Sequence, residues 1–514
     1  MHYGTFVSRH ATRHPERVAL VDGDRTRTYR ELDERTDRLA NALRATGLAD
    51  GDRVALVTDN RLECVEVMVG VAKAGLVFVP LDFRLDDRAA AHLLRHSGSR
   101  VVLFGASHRD QVARLSGVDG ADIPVESWVG LDDPDGYERL LADAAPDDRP
   151  PVADDAGFCI LYTSGTTGLP KGVFFTHQQT MDNAMAVLVE FGIDADTRYL
   201  VSYPHNSAGS VNHVFGPVLM AGGRLVLGDV RGFDAERYFA VVERERVTHS
   251  QLVPTMVFRL LSSDADRGRD ISSLTTVGYA SAPIPAPKVR EMLARFGPIF
   301  VQAYGMTETC SFATVLTRAD HEAAGTAREG VLASCGRATY GVEVAVVDDD
   351  DRPVPPGTTG EVVLRGRWLF QSYWDDPELT GETYRGGWLH SGDVGYLDEE
   401  GYLYLVDRKK DLLIIGGANI ASKEIEDALY EVPGVLEAAV IGVPDDEWGE
   451  RPHAVVVPRP GATVSADAVL AHCRERLPSI KRPVAVTVRD AMPKTSTGKI
   501  SKPELRRQLT PAAS

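Results

Sequence analysis

Between residues 53 and 104 the chain alternates short continuous apolar runs with longer mixed stretches: "RVALV", then "CVEVMVGVAKAG", then "LVFVPL", a polar stretch, and "RVVLF". Apolar runs of strand length separated by helix-length segments predict a parallel sheet covered by helices. Upstream, Leu32, Leu39 and Leu43 lie seven and four apart within "ELDERTDRLANAL", a single apolar stripe on a charged helix. That stripe is a core-facing surface. After residue 335 the period shortens. "VEVAVVDDDDRPVPPGTTGEVVLRG" reads as two strands about a Pro/Gly turn that contains the four aspartates, and "GYLDEEGYLYLVDR" as a further hairpin. From about residue 411 the order is strand, helix ("SKEIEDALYEV"), two strands ("LEAAVIGV", "RPHAVVVP"), helix, strand, enough chain for a separate domain.

A chain of 514 residues is too long for one hydrophobic core, which stops growing near roughly 250–300 residues. Apolar residues are 43% and charged residues 25%, the mix of a globular protein with ample material to bury. The formal charge of −18 gives nucleic acid and anionic membranes no long-range attraction to this chain. The first fifteen residues lack the apolar stretch of a secretory signal, and the longest apolar run is broken by Lys73, so neither export nor a membrane span is expected. Cys64, Cys159, Cys310, Cys335 and Cys473 are far apart, without metal-ligand spacing. A cytoplasmic location is expected.

The densest chemistry lies in "YTSGTTGLPKG", residues 162–172, directly behind the apolar run "GFCILY". Backbone amides in a chain that bends sharply, hydroxyls, and one lysine acting as a point charge are what phosphate oxygens need. The Walker order of Gly, Lys, Ser/Thr is not met, because the loop reads Pro170, Lys171, Gly172. Pro170 fixes its own φ and biases Leu169 away from helix, so Lys171 is expected on a mobile, non-helical segment and not in the first helical turn.

This loop resembles the phosphate-binding loop of the adenylate-forming enzymes: acyl-CoA synthetases, luciferases and peptide-synthetase adenylation domains. Four more of that family's elements follow in order: "YGMTET" at 304–309, "HSGDVG" with Asp393, "DRKKD" with Arg408, and "PKTSTGKI" with Lys499. The resemblance implies an α/β fold with a large N-terminal domain over 1–409. That domain would hold two α/β subdomains and a β-rich, barrel-like subdomain, followed by a small mobile α+β C-terminal domain over 410–514. It implies a reaction in which a carboxylate attacks the α-phosphate of ATP to give an acyl-adenylate and pyrophosphate, followed by transfer to a thiol.

By the same resemblance, Thr163, Ser164, Gly165, Thr166, Thr167, Gly168 and Lys171 would grip the leaving phosphates. Glu308 would hold Mg2+ through a hard oxygen donor. Tyr304 would stack on adenine opposite Ser281, Ala282 and Pro283, with Gly305, Met306 and Thr307 completing that wall. Asp393 would accept from the ribose hydroxyls with Arg408 beside it. Lys499 would bridge the attacking carboxylate and the α-phosphate, and His205 would lie next to the acyl carboxylate. The catalytic set is therefore Lys499, Glu308, Thr163 and His205. Lys410 would be the hinge for rotation of the C-terminal domain, and Gly416 and Gly417 would let the backbone approach the pantetheine arm of coenzyme A. One departure is "GGANI", with Ala418 where many relatives carry glutamate.

The acyl group would lie among segments 204–213, 253–256, 278–283 and 304–312. Val253, Met256, Met306 and Phe312 offer apolar walls, and no acidic residue stands where amino-acid-activating relatives hold an ammonium. The expected substrate is a mainly hydrophobic carboxylic acid, with ATP, Mg2+ and coenzyme A as the other participants. The function implied is an AMP-forming acyl-CoA ligase. Two alternatives remain at this level: an enzyme of one half-reaction, for instance serving an acyl carrier protein, and a non-catalytic nucleotide-binding protein. Association into a homodimer is left open.

Overall fold

The computed structural model of the protein describes residues 2–117, 123–144, 152–163, 170–282, 284–445, 447–459, 461–494 and 500–509. Its first large sheet has seven strands in the order Ser372–Tyr373, Lys171–Thr176, Gly157–Thr163, Val77–Leu81, Arg53–Val57, Ser99–Phe104, Ser127–Gly130. The last five run parallel, while Lys171–Thr176 and Ser372–Tyr373 are antiparallel additions at one edge. This is the sheet anticipated from the alternating apolar runs. The helix Leu62–Lys73 is buried along its whole length, charged residues included. Each of those charges is paired, as burial requires: Glu63 with Arg25 and Arg61, Glu66 with Arg27 and Arg35, and Lys73 with Asp33 and Asp37. On the neighbouring helix Tyr29–Ala45, a capping box of Thr28 and Glu31 fixes the start, and Leu32, Leu39 and Leu43 are buried.

The second large sheet has nine strands, with a parallel centre from Phe300–Tyr304 through Thr276–Tyr279, His249–Leu252, Arg198–Val201 and Arg224–Leu227 to Val18–Asp22. Thr314–Leu316 and Arg337–Ala338 close one side antiparallel and Arg25–Thr28 the other. A third sheet carries Val342–Val347, Gly360–Gly366, Trp388–Leu397 and Tyr384–Arg385, with Leu403–Arg408 paired to Trp388–Leu397. It is the antiparallel module expected after residue 335, and the four aspartates form its turn, where the Asp351 N–H donates to the Asp348 carbonyl.

A fourth sheet belongs to the C-terminal segment: Val435–Asp445 pairs with Gly449–Pro458, flanked by Leu413–Ile415, Ala418–Ile420 and Ala485–Val488. Helices Ser422–Tyr430 and Ala466–Arg476 bury Ile425, Leu429, Val469 and Cys473 beside it. Two α/β layers, an antiparallel half-barrel and a small α+β unit thus make up the chain, with strands exchanged between the first two layers and the half-barrel segment, which bears out the fold class. The small unit docks on the rest through Ser422, whose N–H and hydroxyl both donate to Asp407 Oδ2 at 2.6 and 2.7 Å. Lys423 Nζ donates to the Leu405 carbonyl. All five cysteines are buried and free. Among the described residues, no helix is long and apolar enough to cross a membrane.

Candidate active site

The expected chemistry gathers at the carboxyl ends of strands, where open α/β sheets present ligand sites. Strand Phe300–Tyr304 ends on Tyr304, buried, whose hydroxyl donates to Asp393 Oδ2 at 2.7 Å. Asp393 stands on Trp388–Leu397, 5% exposed. Its other oxygen lies 3.2 Å from Arg408 Nε, and the two residues face each other across the strand pair. Burial, and then the Asp393 charge, hold the Tyr304 hydroxyl well above its ordinary pKa, so it is a donor at every physiological pH. This arrangement keeps an acceptor carboxylate fixed beside an aromatic ring, which fits a ribose and the base it carries.

Four residues after Tyr304, Glu308 sits in the short 3-10 turn Thr307–Thr309. Its Oε1 accepts a 2.6 Å hydrogen bond from the Tyr373 hydroxyl, and its carbonyl accepts from the Phe370 N–H at 2.8 Å. Tyr373 comes from the edge strand Ser372–Tyr373, which pairs with Lys171–Thr176. The Lys171 ammonium lies 5.4 Å from the centre of the Tyr373 ring, within cation–π range. One tyrosine therefore bridges the expected metal ligand and the expected phosphate lysine. A half-buried carboxylate next to a lysine-bearing strand is a donor set that suits Mg2+ with phosphate oxygens.

Thr163 is the last residue of Gly157–Thr163, directly opposite Lys171 in register. Ser164, Gly165, Thr166, Thr167 and Gly168 lie outside the described residues, as do Pro283 and Lys499. Ser281 and Ala282 are exposed just past the strand Thr276–Tyr279, and Ser281 takes φ +80°, a left-handed conformation unusual for serine. Such strain is kept where the surrounding structure holds a backbone for a ligand.

His205 is held by different groups. Its backbone N–H donates to Asn60 Oδ1 at 2.8 Å, while Asn60 donates to the Tyr203 carbonyl at 2.7 Å. The ring is fully buried, with neither nitrogen paired. Burial pushes its pKa down to about 4, with Asp82 and His108 as minor influences of opposite sign. It is a neutral imidazole that still seeks a partner.

Lys410 is exposed on the turn after Arg408. Gly416 and Gly417 take φ +58° and +82°, and a Cβ on Gly416 would come within 2.9 Å of the Trp448 ring. Glycine is required at Gly416 twice over, by conformation and by contact. Tyr373 and Asn60 were not anticipated from the sequence, since their significance arises only from tertiary pairing.

These features define an adenylate-forming enzyme. The chain belongs to the AMP-binding enzyme family, whose model matches residues 7–374, and the model of the AMP-binding enzyme C-terminal domain matches residues 424–499. It is 40% identical to a feruloyl-CoA synthase of Amycolatopsis sp, over 98% of this chain and 99% of that protein. It is 35% identical to an indoleacetate–CoA ligase of Aromatoleum aromaticum, over 98% of each. The crystal structure of ATP-bound MatB from Rhodopseudomonas palustris superposes with a TM-score of 0.88 at 30% identity, covering 99% of both chains. The assignment as an ATP-dependent acyl-CoA ligase working through an acyl-adenylate, with ATP, Mg2+ and coenzyme A as participants, is borne out.

Proposed function

We propose that this acyl-CoA ligase activates a mainly hydrophobic aryl carboxylic acid, with the residues above in the roles their geometry suits. The observation that carries the reading is the turn from Tyr304 to Glu308. At its two ends, two carboxylates, Asp393 and Glu308, are each fixed by a tyrosine hydroxyl. One suits the hydroxyls of a sugar and the other a cation on phosphate. Aryl substrates are supported by the feruloyl and indoleacetate relatives.

Thr163, Ser164, Thr166, Thr167 and Lys171, with the backbone at Gly165 and Gly168, would hold the β- and γ-phosphates, with Glu308 holding Mg2+, which would neutralise phosphate charge. Lys499 would stabilise the charge shifting between carboxylate and α-phosphate. Neutral His205 would shape the acyl end of the pocket without adding a charge that competes with the attacking carboxylate. With domains at 1–409 and 410–514, rotation near Lys410 would then withdraw Lys499 and bring Gly416 and Gly417 to the pantetheine.

Acid-dependent exchange of labelled pyrophosphate into ATP tests the first half-reaction, and coenzyme A supplied with synthetic acyl-adenylate tests the second. No exchange with any member of a broad panel of aryl and aliphatic acids would overturn the reading. Transfer to an acyl carrier protein would show as exchange without acyl-CoA product, a homodimer as twice the chain mass in light scattering, and a cytoplasmic location by fractionation.

A further inference from the structure

Tyr162, directly ahead of Thr163, carries a hydrogen bond that its packing alone does not require. Thr163 and Lys171 stand opposite each other in register, and so do Tyr162 and Gly172 one step back along the same strand pair. Side chains alternate faces along a strand, and cross-strand partners share a face. Thr163 and Lys171 therefore project from one side of the sheet, and Tyr162 lies on the other, over Gly172. A Cβ on Gly172 would come within 3.3 Å of the Tyr162 ring, 3.2 Å of the Trp374 Cβ and 2.9 Å of Ile160. The bare backbone of glycine is what lets these side chains close over that position.

The face that holds Tyr162 is covered by the helix Asp87–Ser97, started by the Asp86 carboxylate, which accepts from the Ala89 N–H at 2.8 Å. Leu93 and Leu94 of this helix are buried in one cluster with Val79 and Ile160. Its last two residues, His96 and Ser97, reach the two strand ends separately. His96 Nδ1 lies 2.8 Å from the Tyr162 hydroxyl, with the rings edge-on and their centres 5.7 Å apart. The Ser97 carbonyl accepts from Arg53 Nε at 2.6 Å, and the same guanidinium lies 5.4 Å from the centre of the Trp374 ring. Trp374 in turn donates its backbone N–H to the Gly172 carbonyl at 2.7 Å. Strand Gly157–Thr163 is thus tied to the helix end through Tyr162 and His96, and strand Lys171–Thr176 through Trp374, Arg53 and Ser97.

Burial lowers the pKa of His96, with His92 adding repulsion while Asp375 and Asp376 pull the other way, so the ring is neutral. A phenol is the better donor of the two and a neutral imidazole the better acceptor, which assigns the bond as Tyr162 O–H to Nδ1. Packing does not account for it. Phenylalanine would cover Gly172 as well as tyrosine does, and leucine in place of His96 would extend the apolar cluster of Leu93 and Leu94. What the polar pair adds is direction, because a hydrogen bond fixes where the ring and its strand end sit. Phosphate oxygens are held best by groups fixed in place before the ligand arrives.

We propose that His96 is a positioning residue for adenylation: through the Tyr162 hydroxyl it sets the strand ends that present Thr163 and Lys171 to the phosphates of ATP. The proposal rests on the phosphate-holding role given above to Thr163 and Lys171. It adds to them a residue on a helix of the opposite face, outside every motif that marks the site.

The test uses wild type, Tyr162→Phe, His96→Leu, the double variant and His96→Asn. It measures calorimetric Kd for MgATP, KM for pyrophosphate in acid-dependent exchange, and acyl-CoA formation from synthetic acyl-adenylate. Each of the first two variants is expected to raise Kd and KM by about three- to tenfold, and the double variant by no more than the larger single effect. His96→Asn, whose side-chain oxygen can stand near the place of Nδ1, should stay within about twofold of wild type. Thioester formation, which involves no pyrophosphate, should keep its wild-type rate in all of them.

Unchanged constants in Tyr162→Phe, which removes a single oxygen, would overturn the proposal even if His96→Leu failed to fold. So would effects that add in the double variant, no recovery in His96→Asn, or a parallel loss of thioester formation, the mark of damaged packing. Wild-type exchange with constants indifferent to these substitutions removes the positioning role and leaves the ligase reading intact. A weakened MgATP Kd in the variants of a chain that exchanges with no acid removes the ligase reading and leaves the positioning role.

Discussion

The Tyr373 hydroxyl donates to Glu308 at 2.6 Å while the face of the same ring lies 5.4 Å from the Lys171 ammonium. Two residues expected to manage phosphate charge are thus spaced by a third, placed by a two-residue edge strand. Removing the hydroxyl while keeping the ring separates its two contacts. Tyr373→Phe should lower kcat/KM in pyrophosphate exchange by about tenfold to a hundredfold, the range for a hydrogen bond to a charged group, and raise the Mg2+ concentration needed for half-maximal rate. An unchanged Mg2+ titration would show that Glu308 does not hold the cation.

Tyr304 and Asp393 form the other tyrosine–carboxylate pair, and Arg408 approaches the second oxygen. Tyr304→Phe should raise KM for ATP by about tenfold with less effect on KM for the acid. Equal changes in both constants would argue for a general loss of packing instead.

Lys499 belongs to adenylation alone in the proposed cycle. Lys499→Ala should slow pyrophosphate exchange by about 10²- to 10³-fold while transfer from synthetic acyl-adenylate to coenzyme A stays within a few-fold of wild type. Loss of both half-reactions would remove the separation of roles.

The opposite selectivity is expected at Gly416, where φ is +58° and the Trp448 ring closes over the position. Gly416→Ala should leave exchange close to wild type and slow thiolation, measured by acyl-CoA formation from the preformed adenylate. A defect in exchange of the same size would place the glycine in overall stability.

Among the six buried histidines of the described residues, three are pushed furthest from their ordinary pKa and make the fold sensitive to acid. Burial, which disfavours the charged ring, pushes the pKa of His205 down to about 4 and those of His177 and His213 down to about 3, with His2 adding repulsion at His177. All three values lie below the ordinary 6.5, so the unfolded chain takes up protons first as pH falls. Stability is expected to be unaffected by them well above pH 6.5 and to fall by at most about 1.4 kcal/mol per pH unit per histidine between there and the folded values of about 4 and 3. Urea unfolding at pH 7, 6 and 5 checks this, and His177→Phe should flatten the slope.

Much of the architecture was legible because burial leaves a periodic mark. "RVALV" and "RVVLF" are strands of the parallel sheet, the Leu32–Leu39–Leu43 stripe is core, and the hairpins after residue 335 pair as their alternation suggests. The contiguous motifs also carried Tyr304, Asp393 and Arg408 to one place. What stayed hidden depends on long-range pairing. Tyr373 is an ordinary aromatic in "FQSYWDD" until its strand joins Lys171–Thr176. Likewise the π turn at Val211–Phe215 and the left-handed Ser281 leave no local composition signal, because neither is dictated by its own side chains.

The adjacent residues Asp407 and Arg408 serve two masters. Arg408 reaches back to Asp393, while Asp407 clasps Ser422 at the head of the C-terminal unit's first helix. In the proposed cycle, a swing of that unit about Lys410 would have to unfasten both Ser422 bonds and the Lys423 bond to the Leu405 carbonyl. Those bonds would then act as a catch on the lobe, one peptide bond from the Arg408 that pairs with Asp393.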